Sequence, residues 1–482
     1  MNRPVLALAL LVSASLTQPT LAQTASALQQ RVETVLAGAG PGVRYGLVVT
    51  DEAGREIVAV NPDQRFIPAS NTKMFTTAAA FHLIPAIDQP DAAGGAAVRI
   101  EGRDVVLEGR GDARLSSAAD CVTDCLAQLA DAVAARTKRV EDVVGDDSLF
   151  PDQRWSLGMS WNNIPSRYGT GISALTLDDN EIALTVTPGN VGQPPKIESV
   201  DYYAIDNRAV TVADGATGLS YDRYPNNMML RITGTIKAGA PADTLRVGID
   251  DPAHYAAWRL KALLEARGVR VTGLVMSRHR DAEASDDPAI RKGAPVVRPP
   301  RAQPLAALTP PPLAEDLTLT NKVSQNLHAE LLLRRVALVR GTGSTQDGLA
   351  EVRTMLTTAG VPRTAYDFSD GSGMSSYNRV APRGMTRFLG WVAAQPWGAA
   401  YRATLPIGGR DGTLSRRFLG TALEGRIFAK TGTINASNGL SGWMVAKSGR
   451  TLTFSAYAND VPDGVNATQA MDAALVAIAE AN

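Results

Sequence analysis

Ser70-Asn71-Thr72-Lys73 puts a hydroxyl and an amine three residues apart, and it is the only S-x-x-K in the chain. Pro68 and Ala69 precede it, and Met74-Phe75-Thr76-Thr77-Ala78-Ala79-Ala80-Phe81 follows, so the pattern predicts a helix that starts at the serine. Residues three apart share one face of a helix. Free N–H groups at a helix start favour a developing negative charge. A serine hydroxyl needs a base to become a nucleophile, and a lysine with a lowered pKa can be that base. Four residues with two fixed positions occur by chance about once in a chain of this length, so the motif needs company.

Two further motifs supply it. Lys430-Thr431-Gly432-Thr433 is the only K-T-G. The alternation from Gly439 to Ala446, the turn at Lys447-Ser448-Gly449-Arg450 and the run Thr451 to Asn459 predict an antiparallel hairpin beside it. Lys430 therefore belongs on a strand, and Gly432 leaves room for close approach of another backbone. S-x-N occurs at Ser160, Ser324 and Ser376. Ser324-Gln325-Asn326 is chosen because Asn321 to Arg335 reads as the start of an apolar helix, with the hydroxyl and amide at or just before its buried face, whereas the other two lie in turn-rich segments.

S-x-x-K, S-x-N and K-T-G in this order form the signature of the penicillin-recognising serine enzymes. Asp370-Gly371-Ser372-Gly373-Met374-Ser375-Ser376-Tyr377-Asn378-Arg379 resembles a segment of the D-alanyl-D-alanine carboxypeptidase/endopeptidase family, the class C low-molecular-mass penicillin-binding proteins. Leu405 to Leu414 and Ser324 to Arg334 also resemble that family, and the likeness runs from about Val43 to about Asn459. Ser376 departs from it, standing where an arginine is common.

The resemblance implies acyl transfer on peptidoglycan stem peptides and cross-links, with β-lactams as covalent inhibitors and no cofactor. Ser70 would be the nucleophile, Lys73 its base, kept neutral by burial and by Lys430. Ser324 would relay the proton to the leaving nitrogen, and Asn326 would hold the lysine and the substrate. The backbone N–H groups of Ser70 and Thr433 would form the oxyanion hole. Lys430, Thr431, Gly432 and Thr433 would meet the substrate's terminal carboxylate. Asp146-Asp147-Ser148-Leu149-Phe150 resembles a family segment reaching over the site, which makes Asp146 and Phe150 candidates for contact with the stem peptide's diamino acid. The competing functions are a serine β-lactamase or esterase on the same scaffold, and a non-catalytic wall-assembly protein. The E-x-x-L-N of class A β-lactamases is absent, and every catalytic position is filled.

Composition narrows the setting. Basic and acidic residues balance at 48 each, and no basic run suggests nucleic acid. Residues 1–22 read as a cleavable export signal, with Arg3, the apolar run Val5 to Leu16 and Thr20-Leu21-Ala22 before Gln23. This implies a periplasmic protein. No later stretch is apolar enough to predict a membrane span. The two cysteines, Cys121 and Cys125, are placed to bridge if Cys121 lies in the loop before the helix carrying Leu126, Leu129 and Val133. With only four scattered histidines, His82, His254, His279 and His328, no metal site is expected.

The interval from Ser70 to Ser324 is more than twice that from Ser324 to Lys430, so the chain must carry an insertion between its first two motifs. The expected architecture is α/β multidomain, of α+β type. A β-lactamase/transpeptidase-like catalytic domain, an antiparallel sheet flanked by helices, comprises residues 23–92 and 303–482. An inserted α/β domain takes residues 93–180 and 238–302. A small β domain, 181–237, is nested within it. Pro295, Pro299, Pro300 and Pro304 mark the return linker.

Overall fold

The computed structural model describes residues 21–298 and 300–482, with side chains from residue 27 onward. The rest of the expected export signal, residues 1–20, and Pro299 lie outside the described residues.

Five antiparallel strands form the central sheet, in the order Ile427–Ile434, Ser437–Val445, Thr451–Asn459, Arg44–Thr50, Glu56–Val60. The predicted hairpin is present, and the strand carrying Lys430 is at the edge, open to a ligand. One face of the sheet is covered by the helices Leu21–Ala37 and Ala467–Ala481, whose Val32, Leu36, Leu475 and Ile478 pack on Leu47, Phe454 and Met444. On the other face, Trp443 and Tyr457 join a core built from Met74, Phe75, Leu332, Val336, Phe388 and Leu389. Alternating side chains of one strand thus serve two cores, as a period-2 pattern requires.

The helix Lys73–Leu83 is buried along almost its whole length. Its Ala78, Ala79 and Ala80 let neighbours approach closely, while Phe75 fills the space between Phe368 and Phe388, with ring centroids 4.8 and 4.5 Å apart.

The insertion has its own sheet, ordered Val275–Arg280, Val143–Pro151, Asp104–Glu108, Ala97–Glu101, Ala306–Ala307. Its first two pairings are parallel, with the helices Leu126–Arg136 and Pro252–Ala266 packed on it. The short last strand, Ala306–Ala307, is the return linker laid along the insert's edge. The small β unit carries its pairing beyond the expected residue 237: Asp243–Gly248 pairs with Glu181–Thr187. Its Ile182, Leu184, Leu230 and Ile232 share one core with the α/β insert. Cys121 and Cys125 are bridged across a Cα separation of 5.8 Å, with Cys125 capping the helix Leu126–Arg136. His279, between Asp147 (2.8 Å) and Asp251 (3.2 Å), is pushed up to about 10 by those two carboxylates, which favours its cationic form in a half-buried position of the insert.

Replacing Phe75 by Ala removes a ring buried between two others at the base of the helix that carries Lys73. The expected loss is about 3–5 kcal/mol of stability, read as a lowered denaturant midpoint with unchanged m. A loss below about 1 kcal/mol would show that the helix is not held by this contact.

Candidate active site

The chain reaches Ser70 through a strained turn rather than a regular helix. Ala69 has φ 48°, in the left-handed region. Residues Ala69–Thr72 then form one 3-10 turn that runs directly into the helix Lys73–Leu83. The expected helix start is therefore tighter than a regular α-turn, and Ser70 and Lys73 straddle the junction. The Asn71 side chain donates to the Lys430 carbonyl at 2.9 Å, tying this turn to the edge strand.

Gly432 and Gly373 allow that closeness. A Cβ on Gly432 would lie 2.5 Å from the Pro68 carbonyl oxygen and 3.1 Å from the Ser70 nitrogen. The close approach expected of this glycine is thus made by the nucleophile turn itself. Gly373, at φ 91°, would place a Cβ 1.9 Å from the Ala69 carbonyl oxygen. No other residue fits either position without moving the turn that carries Ser70.

Ser324 lies between two helices, Leu313–Lys322 and Asn326–Leu338. The sequence suggested one continuous start; the structure breaks it at Val323–Gln325, with Ser324 at φ 66°. Left-handed geometry in a non-glycine residue is costly and tends to occur at functional sites. Here it turns the Ser324 hydroxyl to Lys430, 2.9 Å from Nζ. Asn326, the first residue of the second helix, faces Lys73.

These residues form one cluster. Lys73 Nζ is 2.9 Å from Ser70 Oγ, 2.6 Å from Asn326 Oδ1 and 2.7 Å from the Ser372 carbonyl oxygen. Asn326 Nδ2 donates to the Tyr168 carbonyl at 3.0 Å, which fixes the orientation of its amide. Both lysines are fully buried. Burial brings Lys73 down to about 7, although the charges of Asp370 and Glu330 pull the other way. Burial, and then the charge of Lys73, push Lys430 well below the ordinary lysine range. The leading cause of Lys73's neutrality is thus desolvation, with Lys430 not among the main contributors. Thr431 Oγ1 meets Thr413 Oγ1 at 2.7 Å, and Thr433 is exposed on the same strand.

Asp146 and Phe150 are not part of this cluster. Asp146 is buried in the insert sheet with Arg99 at 3.0 Å and Arg278 at 3.2 Å. Its burial raises its pKa, but hydrogen bonds from Ser148 and Arg99 more than offset this and hold it low. A substrate amine would have to displace two guanidinium groups. Phe150 packs on Ala113, Ala174, Leu327 and Leu331, sealing the insert against the helix Asn326–Leu338.

The insert reaches the site by another segment. Ser376 N and Oγ both donate to the Gly158 carbonyl, at 2.9 and 2.8 Å, and Ser375 Oγ donates to that of Leu157. Ser376 thus clamps the insert where the family often has an arginine. The sequence also left Glu330, Asp370 and Thr413 without roles. Glu330 had one signal: it lies four residues after Asn326, on the same helix face, in an otherwise apolar run.

Known proteins resemble the chain over most of its length. Residues 28–478 match the D-Ala-D-Ala carboxypeptidase 3 (S13) family. A D-alanyl-D-alanine carboxypeptidase of Actinomadura sp. is 33% identical over 493 residues, covering 96% of this chain and 87% of that protein. A penicillin-sensitive carboxypeptidase A of Dictyostelium discoideum is 26% identical, over 87% of this chain and 84% of its own length. The crystal structure of penicillin binding protein 4 from Haemophilus influenzae superposes with a TM-score of 0.75 at 23% identity, covering 93% of this chain and 97% of that one. That last likeness establishes the shared fold.

With Lys73 at about 7, labelling of Ser70 by an acylating agent should climb about tenfold per pH unit below that value and level off above it. Lys73→Arg cannot deprotonate and should lower the plateau by about 10²–10⁴-fold. A variant that labels within about tenfold of the parent would remove Lys73 from the role of base.

Proposed function

The chain belongs to the D-Ala-D-Ala carboxypeptidase 3 (S13) family, and from that premise we propose how these residues carry out the reaction. It is a serine-type D-Ala-D-Ala carboxypeptidase of the penicillin-binding class. Ser70 Oγ attacks the carbonyl carbon of the penultimate D-Ala while Lys73 Nζ takes the hydroxyl proton. The carbonyl π electrons move onto oxygen, where the backbone N–H groups of Ser70 and Thr433 receive them. As the tetrahedral intermediate collapses, the C–N bond breaks. The proton returns through Ser324 to the leaving nitrogen, and the terminal D-Ala departs. Water then adds to the acyl-enzyme by the same route in reverse, and Ser70 is regenerated. A donor in such an oxyanion site contributes about 2.7–4 kcal/mol.

The observation that carries this reading is the Lys73 amine, fully buried and 2.9 Å from the Ser70 hydroxyl. Lys430, Thr431, Thr433 and Thr413 line the edge strand where the substrate's carboxylate would lie. The clamp serves a free C-terminus. It equally serves a cross-link in which the residue after the scissile bond keeps its carboxylate, so we include D,D-endopeptidase work on peptidoglycan. The leader-like residues 1–22 support placing the enzyme in the periplasm, where those substrates are. The penicillin-sensitive relative supports covalent inhibition by β-lactams.

Ser70→Ala should abolish both covalent penicillin labelling and D-Ala release while leaving the melting temperature nearly unchanged. Labelling at another serine would overturn the assignment. In the parent, a long-lived penicillin adduct is expected, and rapid turnover of the adduct would favour the β-lactamase function.

The carboxylate clamp has its own test. A pentapeptide with its terminal D-Ala amidated should lose about ten- to a hundredfold in kcat/KM, because charge-assisted hydrogen bonds contribute about 1.5–3 kcal/mol. Equal rates on acid and amide would remove Lys430, Thr431 and Thr433 from that role. A purified cross-linked dimer assayed alongside them measures the endopeptidase share.

A further inference from the structure

A neutral primary amine has two N–H donors and one lone pair, whereas the ammonium form has three donors and no acceptor. Around Lys73 Nζ, two of the three neighbours can only accept. One is Asn326 Oδ1, whose amide orientation is fixed by the bond from Nδ2 to Tyr168. The other is the Ser372 carbonyl oxygen. When Lys73 is neutral these two take both of its N–H groups. The lone pair is then left for the third neighbour, and Ser70 must donate its hydroxyl proton to it. If either acceptor moved away, an amine N–H could turn to Ser70 Oγ and the lone pair would point elsewhere.

The Ser372 carbonyl is not held by regular secondary structure. The carbonyl belongs to the Ser372–Gly373 peptide, whose N–H goes to Asp370, while the two N–H groups just before it go to Glu330, from the helix Asn326–Leu338. One carboxylate oxygen, Oε1, accepts from Gly371 N at 3.0 Å and from Ser372 N at 2.8 Å. Thr76 adds a bond to the Gly371 carbonyl at 2.7 Å. Asp370 closes the other side of the loop by accepting from Gly373 N, Ser375 N and Asn378 Nδ2. Glu330 is buried and touches neither the nucleophile nor the expected path of a substrate.

We propose that Glu330 is a positioning residue for the base: by clamping the Gly371 and Ser372 N–H groups it fixes the loop so that the Ser372 carbonyl stays on Lys73, and so aims the amine lone pair at Ser70. This rests on Lys73 being the base, as argued above. Its geometry has an electrostatic companion. The charged groups facing this centre are Lys73 on its own helix, Asp370 on the loop, Lys430 on the edge strand and Arg334 one turn beyond Glu330; Asp286 lies behind Arg334. Burial, and then the charge of Asp370, raise Glu330 to about 7. An anionic Glu330 favours the protonated form of Lys73, so removing that charge must make Lys73 easier to deprotonate.

The test separates the two functions of the carboxylate. Glu330→Gln keeps an oxygen able to accept both peptide N–H groups but removes the charge. Glu330→Ala removes both. Penicillin acylation rates are measured against pH, with melting temperatures, for the parent, both variants and Lys73→Arg. Glu330→Gln should keep its high-pH plateau within about tenfold of the parent, with its acid limb displaced to lower pH. Glu330→Ala should lose about a hundredfold or more at the plateau, with no recovery at high pH and with the penicillin Kd little changed. An unmoved acid limb in Glu330→Gln, or a plateau in Glu330→Ala equal to the parent's, overturns the proposal. Should Glu330→Ala fail to fold, Glu330→Asp, which keeps the charge but draws the carboxylate back from both N–H groups, decides instead: a lowered plateau is expected, and a plateau equal to the parent's overturns the proposal. Should Lys73→Arg acylate like the parent, the base assignment itself has failed, an outcome distinct from failure at Glu330.

Discussion

The structure depends on burying two amines side by side. Lys73 and Lys430 are both fully buried, and an uncompensated buried ammonium costs several kcal/mol. Two such charges in one cleft would also repel each other. The site therefore favours neutral amines, the state that the proposed role of Lys73 as base requires near neutral pH. Nearby features act on that balance from both sides. The Ala-rich helix and the aromatic cluster around Phe75 exclude water below it. The carboxylates of Glu330 and Asp370 limit how far the pKa of Lys73 falls, since a base that is too weak would not take the serine proton.

Chain order does not place these groups together; three separate segments do. The nucleophile turn is fixed to the edge strand by Asn71 and by the bare backbone of Gly432. It is fixed on the other side by the 370–378 loop, whose Gly373 presses on Ala69. That loop is in turn clamped by the insert through Ser375 and Ser376. The insert is thus mechanically part of the catalytic site, although it supplies no side chain to the Ser70–Lys73 contact. Left-handed backbone at Ala69 and Ser324 is maintained by this over-determined surround.

The parts legible in the sequence are those with a strong local period or a rare motif. The hairpin after Lys430 alternates cleanly, so its strands lie where the alternation put them. Ser324 was separated from Ser160 and Ser376 by the apolar helix that follows it, and the structure does bring Ser324 and Asn326 to the two lysines. Asp146 was a candidate only because residues 146–150 resemble a family segment that reaches over the site, and the resemblance carries no information about its partners. Arg278 comes from the adjacent strand and Arg99 from the strand two places away on the other side, and no local pattern reveals that both aim at one carboxylate. The helix break at Val323–Gln325 was hidden for a related reason: no glycine or proline marks it, and tertiary contacts hold Ser324 in its unusual conformation. Glu330 escaped notice because a lone glutamate in an apolar helix is read as a solvated edge, whereas its partners are backbone N–H groups forty residues on in the chain.

The neutral pair also bears on how substrate would order the chemistry in the proposed clamp. Among the described residues, Lys430 Nζ has no carboxylate against it: its contacts are the Ser324 hydroxyl and its own strand's carbonyl at Thr431. A substrate carboxylate arriving at the edge strand would be the first anion beside it and would favour its protonated form. A charged Lys430 opposes charge on Lys73, so the base would be held neutral at the moment the scissile carbonyl reaches Ser70. The same proton would sit next to the Ser324 hydroxyl, on the side from which the leaving nitrogen needs it. Recognition of the terminal carboxylate and activation of the nucleophile would then be one electrostatic event, carried by two buried lysines that cannot both be charged alone.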